Sequence, residues 1–535
     1  MSERPVRRGI PASHLVAAAA TTISLLALLG ASGCAVGPDY ERPELGVEPP
    51  SAFVAPGAGP ADPTDPTDPA DPTDPADPAD PATVVLDTAL VAHAWWTAFG
   101  DSTLDRLVVA ALEHNHDLAH AVGRVLEARA LHGGAAAARW PSVTAGAGAT
   151  RSKNVFNSPF GDAEFYNNQF SVTATLQYEP DLWGRLSRSE QAAYAALLAS
   201  ENDRLAVAHT LVAEVARTWL QIRHFEAQLA LTERTTANYR DNLAIVEERY
   251  VRGLVPSLDV RLARQNLASA LARAPQDRQN LADARRRLEV LVGRYPAGTA
   301  ATATPGLDDA TMPPPLPVVP AGLPASLLER RPDLRAAEAR LAAATARIGE
   351  AKALLFPQIT LTGEGGTRST ELSDLFLDAT TIWSLAARLM MPLINRGAQQ
   401  AQVEAARART FQAAAGYRAA VLAAFREAES ALAAEEFQGQ RLAQLRSSVA
   451  EARSSLQLAQ DRYRRGLDNF LLTLDAQRRL FEAESALLQS ELAHRTARVD
   501  LFLALGGDWN LTTVPSVATT PNPGRDPDPK ETIDG

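Results

Sequence analysis

The chain contains the same helix–turn–helix segment twice, and this duplication restricts the folds open to it more than any other feature. The two copies are Arg249–Leu267 (RYVRGLVPSLDVRLARQNL) and Arg462–Leu480 (RYRRGLDNFLLTLDAQRRL), and they align without a gap. Each copy ends one long helix at a glycine-containing turn and opens another. Such self-similarity indicates a tandem duplication. We therefore expect two structural repeats, residues 95–295 and 326–509, joined by a Pro/Ala/Thr-rich linker at 296–325.

The helix that precedes each turn is too long for a globular domain. No proline occurs from Leu186 to Arg252, and side chains suited to a helical seam recur there every seven residues. A helix of about 65 residues is about 100 Å long. The second repeat has a comparable proline-free stretch that ends at Gly466. An aromatic content of only 6% also suits long helices packed side by side.

Each repeat also carries two predicted strands. Apolar and polar residues alternate in Phe170–Tyr178 (FSVTATLQY), which is the period of a strand with one apolar face. The other predicted strands are Val143–Arg151, the segment around Ile359–Gly363, and Ile382–Leu393. Polar loops are predicted between them, at Ser152–Tyr166 and Thr367–Thr380.

These strands are open to two interpretations. Strands of about 9–11 residues with one apolar face suit a transmembrane barrel, whereas on this pattern alone a soluble half-buried hairpin is the simpler interpretation. Four strands cannot close a barrel, because the smallest single-chain barrels use 8. Since three chains would supply 12 strands, the barrel interpretation requires an oligomer.

Residues 1–33 have the pattern of an export signal. Arg4, Arg7 and Arg8 precede the apolar run Leu15–Leu29, and small residues lead to Cys34. The run of about 15 residues is short for a membrane span, which needs about 20. We interpret it as a bacterial lipoprotein signal, after whose cleavage Cys34 is acylated, with palmitate among the fatty acids. The alternative is an ordinary secretory signal followed by a free thiol.

Two further segments are predicted to be disordered. Residues 34–94 form a lipidated N-terminal segment in which Asp-Pro recurs every three residues, and such a composition cannot bury a core. The second is the tail at 510–535.

Several function classes find no support in the sequence. A net charge of −11 leaves no basic footprint for nucleic acid, and one cysteine allows no disulfide within a chain. No segment resembles a nucleophile elbow or a phosphate loop, so neither an enzyme nor a cofactor is predicted. A His/Asp/Glu cluster at 113–120 has the spacing of a metal site. It has no counterpart in the second repeat, so we favour a solvated helix entry and predict no metal.

The order and spacing of several short motifs resemble those of outer-membrane efflux proteins of the TolC/OprM type, in the lipoprotein branch labelled NodT-like. The motifs are Cys34–Pro43 (CAVGPDYERP), Trp95-Trp96, Arg331–Leu334, the paired Arg-Tyr-x-x-Gly turns, Leu474–Arg478 (LDAQR) and Ala504-Leu505-Gly506-Gly507. The resemblance runs from Cys34 to Trp509, interrupted by the Asp-Pro spacer. It implies a mainly α fold with a transmembrane β-barrel, in which a homotrimer forms a 12-stranded barrel continued by a 12-helix periplasmic tunnel.

The function implied by the resemblance is passive export of drugs or other small molecules through the outer membrane, as part of a tripartite efflux or type I secretion system. The implied partners are a periplasmic adaptor (membrane fusion) protein and an inner-membrane pump of the RND, ABC or MFS type. The competing hypothesis is a periplasmic coiled-coil structural or tethering lipoprotein. The amphipathic strands and the duplication count against it, since a strut needs neither.

The resemblance also assigns a periplasmic gate. Leu471, Asp475 and Arg478 lie at i, i+4 and i+7 on one helix face and match the family's aperture residues: an apolar collar, a carboxylate ring and arginines that pair with carboxylates. A threefold axis would turn each of them into a ring. The equivalent residues of the first repeat carry no charge, so the constriction is expected to be threefold: Leu258, Leu262 and Gln265.

The two turns match the tips that meet the adaptor in family members. These are Arg252-Gly253-Leu254 and Arg465-Gly466-Leu467. A plain helix-capping glycine explains the same pattern, and both interpretations can hold together.

Overall fold

A computed structural model of the chain describes residues 35–42, 95–158, 161–299, 330–394 and 396–506. The predicted signal peptide, Cys34, the Asp-Pro spacer, most of the predicted linker and the predicted C-terminal tail lie outside these residues.

The same order of elements occurs twice: helix, strand, strand, long helix, returning helix. A 3-10 turn at Trp95–Phe99 and helix α1 (Ser102–His114) come first. The first set comprises α2 (His116–Ala137), β1 (Ser142–Ser158), β2 (Gly161–Tyr178), α3 (Arg185–Val251) and α4 (Ser257–Leu291). The second set comprises α5 (Pro332–Ala353), β3 (Gln358–Ser369), β4 (Thr381–Met390), α6 (Arg396–Arg464) and α7 (Phe470–Ala504).

The predicted long helices are confirmed. Helix α3 has 67 residues and α6 has 69, each ending at one of the two glycine turns. The start of α3 is fixed by Asp181, whose carboxylate oxygens accept hydrogen bonds from the N–H groups of Leu186 at 2.9 Å and Ser187 at 2.7 Å. The first N–H groups of a helix have no partner within the helix, and helices commonly begin where a side chain accepts hydrogen bonds from them.

The four strands form one antiparallel sheet in the order β1-β2-β3-β4. The prediction of a polar loop at Ser152–Tyr166 is wrong. These residues belong to the two strands, and β1 and β2 stay paired as far as Ser158 opposite Gly161. Apolar residues are few there and fall on both faces, as Val155 and Phe165 show, so no regular alternation marks a strand. Backbone pairing and contacts such as the 2.6 Å ion pair of Lys153 with Glu164 hold the strands together.

The loop predicted at Thr367–Thr380 is shorter than expected. Strand β3 continues to Ser369, and two 3-10 turns, Leu372–Asp374 and Asp378–Thr380, lead to the start of β4 at Thr381. The strand predicted at Ile382–Leu393 ends three residues early, at Met390.

The register places most of the apolar side chains of the four strands on one face of the sheet, although Ile382 and Met390 lie on the other. One row across the sheet is Val143, Leu176, Gly363 and Leu385, and the next row on the same face is Ala145, Ala174, Gly365 and Trp383. The row between them points to the opposite face and is polar: Thr144, Thr175, Glu364 and Ser384.

On the central strand β2 the apolar face is the more exposed one. Along β2, Val172, Ala174 and Leu176 are exposed, while the intervening Thr173 and Thr175 are half-buried. A sheet that packs on a soluble core shows the reverse order of burial. A contiguous exposed apolar surface of this kind marks contact with another protein or with a membrane.

The described residues form two compact units, each drawing segments from both sets of elements. The first unit takes its described residues from 1–46, 123–202 and 334–420 and contains the sheet; the second takes them from 47–122, 203–333 and 421–535 and contains both glycine turns. The core of the second unit includes Phe99, Trp219 and Leu288, which are almost completely buried. Within the described part of the chain, no helix has both the length and the apolar character needed to span a membrane.

Candidate functional site at the two helical turns

The two turns share one backbone geometry. Gly253 has φ 71° and Gly466 has φ 74°, the left-handed region that glycine enters without steric cost. In the first turn the N–H of Leu254 donates to the carbonyl of Arg249 and that of Gly253 to Tyr250, both at 2.9 Å.

The second turn repeats this pattern at 3.0 Å, from Leu467 to Arg462 and from Gly466 to Tyr463. This is the Schellman arrangement that closes helix C-termini. The predicted capping role of both glycines is therefore confirmed, whereas the contact of Arg252-Gly253-Leu254 and Arg465-Gly466-Leu467 with an adaptor stays a prediction.

A small apolar cluster lies beneath the turns. It comprises Val246, Val260, Ala263, Tyr463, Phe470 and Leu474, all of them buried. By contrast, large apolar side chains on and next to the turns are more than half exposed: Val251, Leu254, Leu258, Leu467, Leu471 and Leu472. The residues of the two turns and adjoining helices thus pack together in a buried cluster, while the turns themselves expose an apolar surface.

Arg249 joins the two turns. Its guanidinium nitrogens donate to the carbonyl oxygens of Tyr463 and Arg464, each at 3.2 Å, and its Cζ lies 4.4 Å from the centroid of the Tyr463 ring. Arg249 of α3 therefore caps the last carbonyl groups of α6, where the helix dipole favours a cation. The sequence placed Arg249 in the repeat but did not identify it as a brace.

The equivalent arginine of the second turn behaves differently. Arg462 binds Asp468 of its own turn, with Nε 2.5 Å from Oδ2 and Nη2 3.1 Å from Oδ1. The first turn has Val255 where the second has Asp468, so Arg249 has no carboxylate at that position and reaches across instead.

The predicted gate residues lie together at the start of α7. The Asp475 carboxylate accepts a hydrogen bond from Arg478 Nη2 on Oδ1 and another from Arg479 Nε on Oδ2, both at 2.7 Å. These two arginines, Arg478 first, hold the pKa of Asp475 below its ordinary value. Leu471, one turn earlier on the same face, is 57% exposed.

Arg479 is the gate-region residue that the sequence analysis missed. It lies four residues after Asp475, a spacing at which oppositely charged side chains meet on a helix, so the signal was present. Within one chain both carboxylate oxygens of Asp475 are engaged by its own helix. Pairing between protomers stays a prediction.

The residues that follow Cys34 are fixed to the first unit, although Cys34 itself lies outside the described residues. The Val36 N–H donates to the Trp183 carbonyl at 3.1 Å. Further along, the Arg42 guanidinium binds both oxygens of Glu338 at 2.8 Å, and the Tyr40 hydroxyl donates to the same carboxylate at 3.0 Å. This short segment therefore has a defined path from the residues that precede α3 to helix α5.

The histidine cluster shows no metal geometry. His114 Nδ1 lies 3.0 Å from the Ala110 carbonyl oxygen and 3.9 Å from a Glu113 oxygen. Nowhere in the described ranges are three His, Cys, Asp or Glu side chains placed to hold a metal ion.

Comparison with known proteins places this architecture in context. A family model described as outer membrane efflux protein matches residues 107–294 and 323–507, more than half of the chain. The solvent efflux pump outer membrane protein SrpC of Pseudomonas putida is 36% identical over 415 residues, which cover 77% of this chain and 87% of that protein. The outer membrane protein OprJ of Pseudomonas aeruginosa is 35% identical over 417 residues, which cover 78% and 86%.

Solved structures agree with these relatives. The outer-membrane channel OprN superposes with a TM-score of 0.74 at 29% identity, covering 89% of this chain and 99% of that one. The MtrE outer membrane channel of Neisseria gonorrhoeae, solved in its open state, gives 0.74 at 28% identity, covering 89% and 98%. The chain therefore belongs to the outer membrane efflux protein family, a non-enzymatic class of efflux channels located in the outer membrane.

Proposed function

We propose that this chain is the outer-membrane channel of a tripartite efflux or type I secretion system, and that it exports drugs or other small molecules passively. The observation that carries the proposal is the sheet with one exposed apolar face, whose central strand β2 has its polar side chains Ser171, Thr173 and Thr175 half-buried on the other face. Such a sheet fits a bilayer outside and a water-filled lumen inside. The names of relatives such as SrpC, a solvent efflux pump component, support export of small molecules.

The active form is a homotrimer. Strands β1 and β4 are the edges of the four-stranded sheet, and open edges do not occur in the hydrocarbon region of a membrane. Pairing β4 of one protomer with β1 of the next closes three sheets into a 12-stranded barrel. Helices α3, α4, α6 and α7 of each chain then supply a 12-helix periplasmic tunnel, in which α3 alone would be about 100 Å long.

The N-terminal lipid forms a second attachment to the outer membrane. Ala35 packs against Gly184, where an added Cβ would lie 2.9 Å from the Ala35 Cα. The neighbouring Trp183 donates from Nε1 to the Pro357 carbonyl at 2.7 Å, directly before β3 begins. Ala35 is thus held beside the residues that precede α3 and β3, and an acyl chain attached at the neighbouring Cys34 would reach the inner leaflet.

The gate is formed by Leu471, Asp475 and Arg478 of α7. Around a threefold axis they would give an apolar ring and a ring of charged pairs, and the tunnel opens when the tip helices move apart. Within a chain Arg478 and Arg479 each donate one hydrogen bond to Asp475, which leaves a second acceptor site on each carboxylate oxygen for an arginine of a neighbouring protomer. No chemical reaction is involved.

The exposed apolar surface of the two turns is the docking site for a periplasmic adaptor. Gly253 and Gly466 leave the turn surface free, since nothing lies within 4 Å of a Cβ built on either glycine. Leu254 and Leu467 would then enter apolar positions of the adaptor. The adaptor in turn connects the channel to an RND, ABC or MFS pump, which supplies the energy.

The proposal is tested with the mature protein extracted in detergent. We expect a hollow threefold particle by electron microscopy and discrete conductance steps in planar bilayers. Asp475→Ala combined with Arg478→Ala is expected to raise the open probability, whereas Glu404→Ala combined with Arg407→Ala, an exposed i, i+3 pair on α6, is expected to leave it unchanged. A solid rod that stays soluble after delipidation and gives no conductance would favour the tethering lipoprotein.

A further inference from the structure

The β1–β2 hairpin extends well beyond the other two strands. The last pair between β2 and β3 is Phe170 with Ser369, whereas β1 and β2 stay paired as far as Ser158 with Gly161. Nine further residue pairs of the hairpin therefore extend beyond the pairing with β3. Their length is about 30 Å at about 3.3 Å per residue.

The outward face of the sheet changes character at this point. The last apolar pair on that face is Ala149 opposite Phe170, and the next two pairs are Arg151 opposite Asn168 and Lys153 opposite Tyr166. Successive residues on one face are two positions apart, so Arg151 lies about 7 Å and Lys153 about 13 Å beyond the last apolar row. Two cationic side chains therefore lie directly beyond the edge of the apolar surface.

These side chains form one cluster. The Arg151 Cζ lies 5.6 Å and the Lys153 Nζ 5.9 Å from the centroid of the Tyr166 ring. Lys153 is the residue directly opposite Tyr166, and Arg151 is the next residue along β1 on the same face. Glu164 pairs with Lys153 at 2.6 Å, and the Tyr166 hydroxyl lies 3.5 Å from a Glu164 oxygen. The two cations outnumber this carboxylate, and all four side chains are exposed.

We propose that Arg151, Lys153 and Tyr166 bind the phosphate groups of phosphorylated lipids in the outer leaflet. The inference rests on the proposed function, because it takes the apolar face to be embedded in the outer membrane with the hairpin on the external side. Basic side chains just beyond the hydrocarbon region attract anionic headgroups, and an aromatic ring at that height suits the interface. A guanidinium also matches the geometry of a phosphate.

The opposite face of the sheet supplies a matched control. Arg368 lies opposite Ser171, at almost the same height as Phe170 but on the polar face, and pairs with Glu364 at 3.3 Å. It would point into the lumen and should contribute nothing to lipid binding. Its removal deletes one strand cation, so it shows what the loss of a positive charge does when that charge lies on the polar face.

The test uses the full-length protein in detergent, titrated with bisphosphorylated lipid A and with the same lipid after removal of both phosphates. Bound lipid per particle is counted by native mass spectrometry. We expect Arg151→Gln/Lys153→Gln to weaken binding of the phosphorylated lipid roughly 25-fold, at about fivefold per basic residue. Arg368→Gln and the charge-conserving Arg151→Lys/Lys153→Arg should bind it like the unchanged protein.

Equal binding by the Arg151→Gln/Lys153→Gln variant and the unchanged protein, or equal binding of the phosphorylated and dephosphorylated lipids, would overturn the proposal. Conductance in bilayers of neutral lipid is recorded for every variant. A channel that conducts but does not distinguish the two lipids refutes the headgroup site alone, whereas a protein that never conducts refutes the proposed function.

Discussion

Replacing Arg249 with alanine is expected to loosen the second helical turn, although Arg249 itself belongs to the first. Its guanidinium reaches from α3 to the last carbonyls of α6, at Tyr463 and Arg464, and covers the Tyr463 ring. Truncation removes all three contacts and leaves the end of α6 to water.

The size of the effect follows from these contacts. A cation over an aromatic ring at a partly exposed site contributes about 0.5–1 kcal/mol. Two hydrogen bonds from a charged donor, each long at 3.2 Å and half-exposed, contribute about 1 kcal/mol apiece. The sum is about 2.5–3 kcal/mol of local stability, or roughly a 60- to 140-fold change in a local opening equilibrium, taking about 1.4 kcal/mol per factor of ten.

The assay is hydrogen exchange at the amides of Gly466 and Leu467, whose hydrogen bonds close the second turn. We expect their exchange to accelerate by roughly that factor in Arg249→Ala, while amides in the middle of α6 keep their protection. The duplication provides the control, since Arg462→Ala removes the equivalent arginine but only its exposed contact with Asp468.

Two results would contradict the proposed role of Arg249 as a brace between the turns. If Arg249→Ala and Arg462→Ala accelerated exchange at Gly466 equally, the brace between the turns would have no special role. If Arg249→Ala changed nothing, the contacts across the turns would be absent in solution. Arg249→Lys, which keeps the charge but loses the forked geometry, is expected to fall between alanine and the unchanged protein.

Three further predictions address the gate, the sheet and the backbone. Arg478 and Arg479 lower the pKa of Asp475, so its ion pairs are intact above the ordinary aspartate pKa of about 3.9 and are lost as the pH falls through the lower pKa of the folded protein. Conductance should therefore stay constant from about pH 5 to 8 and rise only below about pH 4. Ala174→Arg on the apolar face should cost about 2–4 kcal/mol per chain and lower the yield of membrane-inserted protein, measured by fractionation, whereas Thr173→Arg on the polar face should insert normally. Gly253→Ala should cost only about 1–2 kcal/mol, since nothing lies within 4 Å of its Cβ, whereas Gly293→Ala, whose Cβ would lie 2.3 Å from the His114 carbonyl oxygen, should lower the thermal midpoint several times further. Equal midpoints for the two alanine variants would contradict the last prediction.

The long helices and their turns were predictable because their signals are local. The absence of proline from Leu186 to Arg252 and the heptad spacing define α3, and a glycine in the left-handed region ends it. The gate pair was accessible for the same reason, since Asp475 and Arg478 are three residues apart on one helix. The motifs that carried the family resemblance also needed only order and spacing.

The hairpin length could not be read from the sequence. Between Arg151 and Tyr166 the few apolar residues fall on both faces, as Val155 and Phe165 show, so the alternation that reveals a strand disappears while the backbone pairing continues. Strand pairing is a property of two segments together, and single-strand periodicity reports it only where one face is apolar.

The different roles of Arg249 and Arg462 mark where sequence reasoning ends. The two arginines occupy equivalent positions in the aligned repeats, and the sequence shows that only Arg462 has a carboxylate six residues later, Asp468. It is the packing of α3 against α6 that gives Arg249 the Tyr463 ring and the carbonyls of a helix end. The same holds for the sheet: the sequence by itself determined that each strand has an apolar face, whereas the register of β2 with β3 decided that all these faces coincide. Local spacing fixes helices and alternation, but contacts between distant segments depend on how the whole chain packs.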